Sequence, residues 1–398
     1  MPAQSTRRDL VRGIAISAAS WSRILGANDR IQIGVIGCGS RGALLMREFQ
    51  RHSEVALGAV CDVYETRAKR VAANAPGVRV LRDYRALIES RPLDAVVIAT
   101  PNHWHEEPCL AALSSGLDVY VEKPLSYAID EGPRMVKAAR INARICQVGM
   151  QQRSGSHYLR AKQEYIDAGK LGKVSYVRTW WHGNNYFLVR APESMRTKPA
   201  DLDWAAFLGR LKWRDWDPLQ YLSWRSYLDF GGGQITDLFT HWVDVVHMFL
   251  GSDIPVSAAA AGGVYNFNDG RTAPDTVNVL EEYPARFTVT FEGVLGTAAT
   301  QGAVEFFGTE GSLAINREGY EFRAADRKAP PVVVQAEPYD ITRDHVNDFL
   351  DAVRQRRLPK GDVLLGHRSA QAAHLAHMAW LRRRQIHFDP VREEILPG

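Results

Sequence analysis

The chain has 398 residues, 45% of them hydrophobic and 24% charged, with a formal net charge of +4. Such a length and apolar content allow two domains with sizeable cores. A small net charge without a long basic run excludes an electrostatic case for nucleic acid, and no apolar stretch reaches the roughly 18–20 residues of a membrane span. The four cysteines, Cys38, Cys61, Cys109 and Cys146, all lie in the first 150 residues. They form neither a disulfide framework nor metal-ligand spacing, and read as small buried thiols.

Residues 1–30 do not read as fold. Thr6-Arg7-Arg8-Asp9-Leu10 precedes a mildly apolar, small-residue stretch from Gly13 to Leu25. Twin arginines before such a stretch resemble a twin-arginine export signal. The expectation is an exported, periplasmic protein; the alternative is an uncleaved basic tail on a cytoplasmic one. This route carries folded proteins, which suits a chain that must acquire a cofactor first.

Ile31-Gln32-Ile33-Gly34-Val35-Ile36 is a β-branched apolar run, the pattern of a buried strand. The tight turn Gly37-Cys38-Gly39-Ser40-Arg41-Gly42 follows, then a helix pattern with Leu44, Leu45 and Phe49 on its apolar face. A second strand, Val55 to Val60, leads to Cys61-Asp62. Strand, G-x-G-x-x-G, helix, strand and acid at this spacing mark a dinucleotide-binding unit. Gly37 permits the turn, Gly39 lets the backbone approach a pyrophosphate, and Gly42 lets the helix pack on the sheet. The N-terminus of the helix at Ser40 and Arg41 offers unpaired N–H groups to phosphates. Asp62 would accept hydrogen bonds from both adenosine ribose hydroxyls and repel a 2′-phosphate, favouring NAD over NADP.

The βα alternation continues to about residue 150. Strand Asp94 to Ala99 ends in Thr100-Pro101-Asn102-His103-Trp104-His105, a loop expected to face the cofactor. Strand Asp118 to Val121 ends in Glu122-Lys123-Pro124. From residue 151 the pattern changes to a helix near Tyr158 to Ala168 and a strand from Lys173 to Trp181. An irregular aromatic and proline-rich stretch, Gly183 to Gly233, precedes a strong helix, Gln234 to Leu250. Strand-like runs fill Val256 to Ile315, and two closing helices span about Thr342 to Gln355 and His367 to Arg383. The organisation is a tail (1–30), a Rossmann NAD-binding domain (31–150), and a substrate and oligomerisation α/β domain (151–398). The second domain should hold an open, mainly antiparallel sheet, and its last helices could pack back on the first.

Two features could carry chemistry. Lys123 at a strand's carboxyl end could polarise a substrate oxygen, or be a solvated lysine. Asp237, His241 and Asp244 recur at one-turn spacing, so a carboxylate could orient an imidazole as general base. The alternatives are a satisfied core histidine and a metal site; His247 points off the stripe, which weighs against metal.

Together Gly37 to Gly42, Thr100-Pro101 to His105, Glu122-Lys123-Pro124 and Asp237-Leu238-Phe239-Thr240-His241 resemble the Gfo/Idh/MocA oxidoreductase family, from Ile31 to the C-terminus. The resemblance implies that Lys123, Asp237 and His241 form the catalytic group, and that Thr100, Pro101, Asn102 and His105 lie beside the nicotinamide. Trp224-Arg225 resembles a subgroup pair that also reaches the cofactor, and Phe307 to Ser312 a structural segment of the second domain. The implied reaction is hydride transfer between a secondary alcohol of a sugar or polyol and the nicotinamide. His241 would take the hydroxyl proton, Asp237 would orient His241, and Lys123 would polarise the same oxygen. An alternative is a redox-neutral, NAD-dependent glycoside hydrolase working by oxidation, elimination, hydration and re-reduction; a third reading is a non-enzymatic binding protein. Seven of the ten tryptophans lie between Trp180 and Trp242, where they could face sugar rings or pack the core. The resemblance also implies a homo-oligomer, a dimer or tetramer.

Overall fold

The structure, a computed structural model, describes residues 30–397 except 74, 91, 184–189, 252–253, 300 and 339. The twin-arginine stretch lies outside the described residues.

The first sheet holds β1 (Ile31–Ile36), β2 (Val55–Cys61), β3 (Arg79–Leu81), β4 (Ala95–Ile98), β5 (Asp118–Val121) and β6 (Cys146–Val148). All pairs are parallel, in the order β3-β2-β1-β4-β5-β6. The intervening helices are α1 (Ser40–Gln50), α2 (Glu65–Ala72), α3 (Tyr84–Glu89), α4 (Glu106–Ser114) and α5 (Glu131–Ile141). Alternation along β4 shows why these strands read as continuous apolar runs. Ala95 and Val97 pack with Leu45 and Phe49, while Val96 and Ile98 face the opposite cluster with Leu113 and Met135.

The second part contains α6 (Ser156–Ala161), β7 (Val174–His182), α7 (Trp204–Leu208), α8 (Pro218–Leu222) and α9 (Thr240–Leu250). Then come β8 (Ser257–Gly263), β9 (Thr276–Tyr283), β10 (Phe287–Val294), β11 (Gly302–Gly308), β12 (Gly311–Asn316), β13 (Gly319–Ala324) and β14 (Val332–Gln335). The chain ends with α10 (Thr342–Gln355), α11 (Val363–Arg382), β15 (Ile386–Asp389) and β16 (Glu394–Ile395). The second sheet runs β14-β13-β12-β11-β7-β10-β9-β8-β15-β16. It is antiparallel except at β7 and β10, which are parallel neighbours; the chain between them forms α9 and then β8 and β9. The architecture is therefore α/β, a parallel Rossmann sheet followed by an open, mainly antiparallel one, as the alternation of patterns indicated.

Helix α9 and the turn before it cover one face of the second sheet, with Phe239 stacked on Phe291 at 5.2 Å and Phe249 on Phe306 at 5.1 Å. The other face carries cross-strand polar pairs among its aromatics. Arg178 Nε donates to Glu292 Oε1 at 2.8 Å, and Tyr176 stacks on Phe307 at 5.2 Å. This face therefore mixes charged and aromatic side chains.

The closing helices return to the first sheet. Val346, Phe349 and Leu350 of α10 join its core, and the Phe349 ring meets Phe49 edge-on at 5.9 Å and Tyr120 at 5.8 Å. Helix α11 spans both halves. Val363 and Ala370 pack with the first sheet, while Ala372, Ala376 and Trp380 pack with the second. The two sheets are thereby held with a cleft between them.

Candidate active site

The glycine turn after β1 is shaped by backbone contacts. Gly37 has φ +89°, and a Cβ there would lie 2.7 Å from the Ala99 carbonyl. At Gly42 a Cβ would come within 1.9 Å of the Gly37 oxygen, so this glycine serves helix packing. Gly39 differs: the nearest atom to its hypothetical Cβ is Arg67 Nη1, 3.8 Å away. Open space therefore lies over the start of α1, where no side chain caps the first-turn N–H groups. An anion fits that place.

Asp62, buried at the end of β2, accepts Cys38 N–H at 2.7 Å through Oδ2 and Tyr64 N–H at 2.8 Å through Oδ1. Each oxygen keeps a lone pair for a ribose hydroxyl. Burial raises its carboxyl above the ordinary value, against Arg67 and the two N–H groups. The same acid thus ties the glycine turn to the strand end.

A cleft of about 510 Å³ runs from this cradle between the two halves. Ser40, Arg41, Thr100, Pro101 and Asn102 line it from the Rossmann side, and Phe207, Tyr221, Trp224 and Arg225 from the other. Thr100 Oγ1 donates to the Trp104 carbonyl at 3.1 Å, which shapes the loop after β4. The Asn102 amide oxygen sits where a Cβ on Gly231 would come within 2.6 Å, so that glycine admits the loop. His105 also borders the cleft, but its nitrogens face backbone: Nδ1 lies 2.8 Å from the Pro124 carbonyl and Nε2 3.1 Å from that of Thr100. It braces the loops after β4 and β5 against each other. Glu122 is likewise engaged, accepting Arg41 Nε at 2.7 Å.

At the inner end of the cleft Lys123 Nζ donates to the Asp237 carbonyl at 2.7 Å and lies 3.0 Å from its Oδ1. Arg225 Nε reaches the same Oδ1 at 3.2 Å, with its guanidinium 4.1 Å from the Trp224 ring. His241 follows one turn after Asp237, and its Nδ1 is buried without a hydrogen-bond partner among the described residues. This corrects the expectation that Asp237 orients His241. A wide π-type turn, Ile235–Phe239, precedes α9 and departs from α-helical spacing at Asp237, and two cations hold the carboxylate more strongly than a neutral imidazole could.

The electrostatics follow from burial and these pairs. Burial would raise the Asp237 carboxyl, but Lys123 and Arg225 outweigh it and hold it below the ordinary value. Burial lowers Lys123, aided by Arg225 and opposed by Asp237. His241 is pushed well below the usual imidazole value, first by burial and then by Lys123, Arg317, Arg41 and Arg225. It is neutral at pH 7 and able to accept a proton.

Asp244 is drawn into structure instead of chemistry. It accepts Arg153 Nε at 2.8 Å and Ser369 Oγ at 2.8 Å. His247 contacts Tyr283 OH at 2.8 Å. Among the described residues no group of three or more His, Cys, Asp or Glu is arranged to hold a metal, and no helix is long and apolar enough to cross a membrane. Two neighbours of His241 were not singled out from the sequence. The Trp181 ring lies 5.6 Å from the imidazole, and Arg317 lies 5.1 Å from that indole. Trp181 was one of seven clustered tryptophans, and Arg317 sits on a hairpin whose second strand gave no clear alternation.

Comparison with known proteins accords with this geometry. A profile described as an oxidoreductase family with an NAD-binding Rossmann fold matches residues 31–150, and a GFO/IDH/MocA C-terminal domain profile matches residues 206–314. The chain belongs to the Gfo/Idh/MocA family. Its first domain is an NAD-binding Rossmann domain. Inositol 2-dehydrogenase 2 of Saccharopolyspora erythraea is 36% identical over 166 residues, 41% of this chain and 48% of that enzyme. The chain thus spans about half the length of the inositol 2-dehydrogenases it matches. An uncharacterized oxidoreductase, YrbE of Bacillus subtilis, is 24% identical over 72% of this chain and 73% of its own. The fold is similar to that of scyllo-inositol dehydrogenase from Lactobacillus casei, solved with NAD(H) and scyllo-inositol. The TM-score is 0.68 at 18% identity, over 90% of this chain and 99% of the other.

The depressed His241 pKa sets a pH expectation for any reaction in which it is the base. The neutral form persists below the ordinary imidazole value of about 6.5, so kcat/KM should fall only as pH drops through the depressed pKa. A pH profile of kcat/KM should place the acid limb below pH 6.5 and its loss in His241→Ala; an unchanged limb at or above 6.5 in that variant contradicts the assignment.

Proposed function

We propose that the chain is an NAD-dependent dehydrogenase acting on a secondary alcohol of a sugar or polyol. The observation that carries this is the inner end of the nucleotide cleft. A neutral imidazole with an uncommitted nitrogen stands beside a lysine whose direction is set by a buried carboxylate. The names of the relatives support the substrate class, since one is an inositol 2-dehydrogenase and another was solved with scyllo-inositol.

The N-terminus of α1 at Ser40 and Arg41 would hold the pyrophosphate of NAD, Asp62 the adenosine ribose, and Thr100, Pro101, Asn102 and Trp224 would flank the far end of the cofactor. Bound NAD supplies the hydride acceptor. His241 takes the hydroxyl proton as the carbon–hydrogen bond is lost. Lys123 donates a hydrogen bond to the same oxygen and stabilises the charge that develops there. Asp237 acts through Lys123: it keeps the ammonium aimed and favours its charged form against burial and the nearby Arg225.

The decisive experiment is incubation of the protein with NAD, a panel of inositols and free sugars, and their glycosides, with nicotinamide absorbance and product masses followed together. Net NADH with a ketone product is expected; glycoside cleavage without NADH would establish the redox-neutral route instead. His241→Ala should lower kcat by roughly 10²–10⁴ while leaving NAD affinity within a few-fold. NAD should bind more tightly than NADP, and Asp62→Ala should narrow that gap.

We also propose export by the twin-arginine route, from Arg7-Arg8 and the apolar stretch after them. Replacing both by lysine should leave the protein in the cytoplasmic fraction, and unchanged fractionation of that variant would sink the idea. We further propose a homo-oligomer assembled on the accessible face of the second sheet, where Leu280 is 45% exposed between Thr290 and Ala259. Light scattering at micromolar concentration should give a mass of a dimer or tetramer, and a monomer mass would refute it.

A further inference from the structure

Four cations act electrostatically on His241: Lys123, Arg317, Arg41 and Arg225. Three have carboxylate partners. Lys123 and Arg225 share Asp237, and Arg41 is paired with Glu122. Arg317 has no ion pair with any described carboxylate. Asp340 and Glu122 act on it only at longer range, and the Tyr158 hydroxyl near it is itself without a hydrogen-bond partner.

The place of Arg317 gives this imbalance a direction. Its guanidinium lies 5.1 Å from the Trp181 ring, and that ring lies 5.6 Å from the His241 imidazole. Guanidinium and imidazole therefore border one indole. The residue is open to solvent, yet the surrounding protein lowers its pKa below the ordinary arginine value. Leaving a partly desolvated charge without a counter-ion is costly, and a bidentate oxyanion is the partner a guanidinium fork fits best. The support beneath it is rigid. Arg317 occupies the turn between β12 and β13, where Asn316 Oδ1 accepts the N–H groups of Glu318 at 2.8 Å and Gly319 at 3.0 Å. The Asn316 carbonyl in turn lies 2.9 Å from His157 Nε2. A side chain placed by such a turn is pre-positioned for a ligand.

We propose that Arg317 binds the substrate, and that the alcohol oxidised beside His241 carries an anionic group, a carboxylate or a phosphate ester, which pairs with this guanidinium. This rests on the dehydrogenase reading of the cleft and narrows it. A neutral polyol would leave Arg317 without a counter-ion. An acidic sugar would pair with it while one C–H face packs on Trp181 and a hydroxyl meets Lys123 and His241.

The test measures binding without turnover. NAD-loaded protein is titrated calorimetrically with D-glucuronate, D-glucose 6-phosphate and D-glucose, and with the corresponding galactose series. At least one acid should bind roughly ten- to hundredfold more tightly than its neutral parent, the size of one charge-assisted contact. The uronate and phosphate arms identify which anion is taken. Arg317→Met should abolish the preference, Arg317→Lys should retain part of it, and both should bind NAD within twofold of the parent protein. Failure of any acid to bind more tightly than its neutral parent overturns the proposal, as does a preference that survives in Arg317→Met. Weakened NAD binding in both variants would assign Arg317 to the cofactor and overturn it as well. Since no hydride transfer is needed for the readout, an absence of NADH formation would count against the dehydrogenase reading alone.

Discussion

The Asp237 carboxylate is the hinge point of the site. It belongs to the turn that opens α9, yet it is held by Lys123 from the Rossmann half and by Arg225 from the segment that walls the cleft. Three separate stretches of chain meet at one oxygen. A buried carboxylate shared by two cations leaves the trio with one net positive charge, which adds to burial in lowering the proton affinity of the neighbouring imidazole. The acid thus aims the lysine directly and influences the histidine only through the field of its partners. Removing one member of such a buried trio strands the others, so its cost would exceed that of the lost contact.

Much of this was legible in the sequence because it depends on local rules. The glycine turn and Asp62 follow from strand, turn and helix chemistry within some thirty residues, and β1 to β6 from apolar runs of fixed length. What was not legible depends on contacts across long separations. The capture of Asp237 by Lys123 spans 114 positions, and the His105 brace between two loops depends on the Pro124 carbonyl. One-turn spacing suggested that Asp237 serves His241, but a single π-type turn and two distant cations decide otherwise. Asp244 on the same stripe looked equivalent until Arg153 claimed it. Strands β13 to β16 are short, exposed or edge elements with little alternation, so Arg317 at the β12–β13 turn carried no signal.

Behind the site a second polar chain runs through the core of the second half. Arg153, Asp244, Ser369, His247, Tyr283 and Glu281 are joined in sequence by hydrogen bonds. It links the segment after β6 to α9, α11 and β9. Burial pushes the Glu281 carboxyl up to about 8 and the His247 imidazole down to about 3, so both are neutral at pH 7 and the Arg153–Asp244 pair holds the only charges. Packing of α9 on the sheet is therefore fixed by hydrogen bonds as well as by aromatic stacking. That suits an element whose first turn must hold Asp237 and His241 in place.

The return of α10 to the Rossmann sheet bears on the order of events during synthesis. Phe349 completes a core whose other members, Phe49 and Tyr120, emerge from the ribosome 300 and 229 residues earlier. At elongation rates of about 5–20 residues per second those waits last roughly 10–60 s. Through this interval the face of the nucleotide-binding sheet that α1 covers lacks α10, which leaves the Phe49 and Tyr120 rings partly open to water and to other nascent chains. The domain that begins the fold is thus among the last to be finished, and the growing chain depends on sheltering that surface until its end arrives.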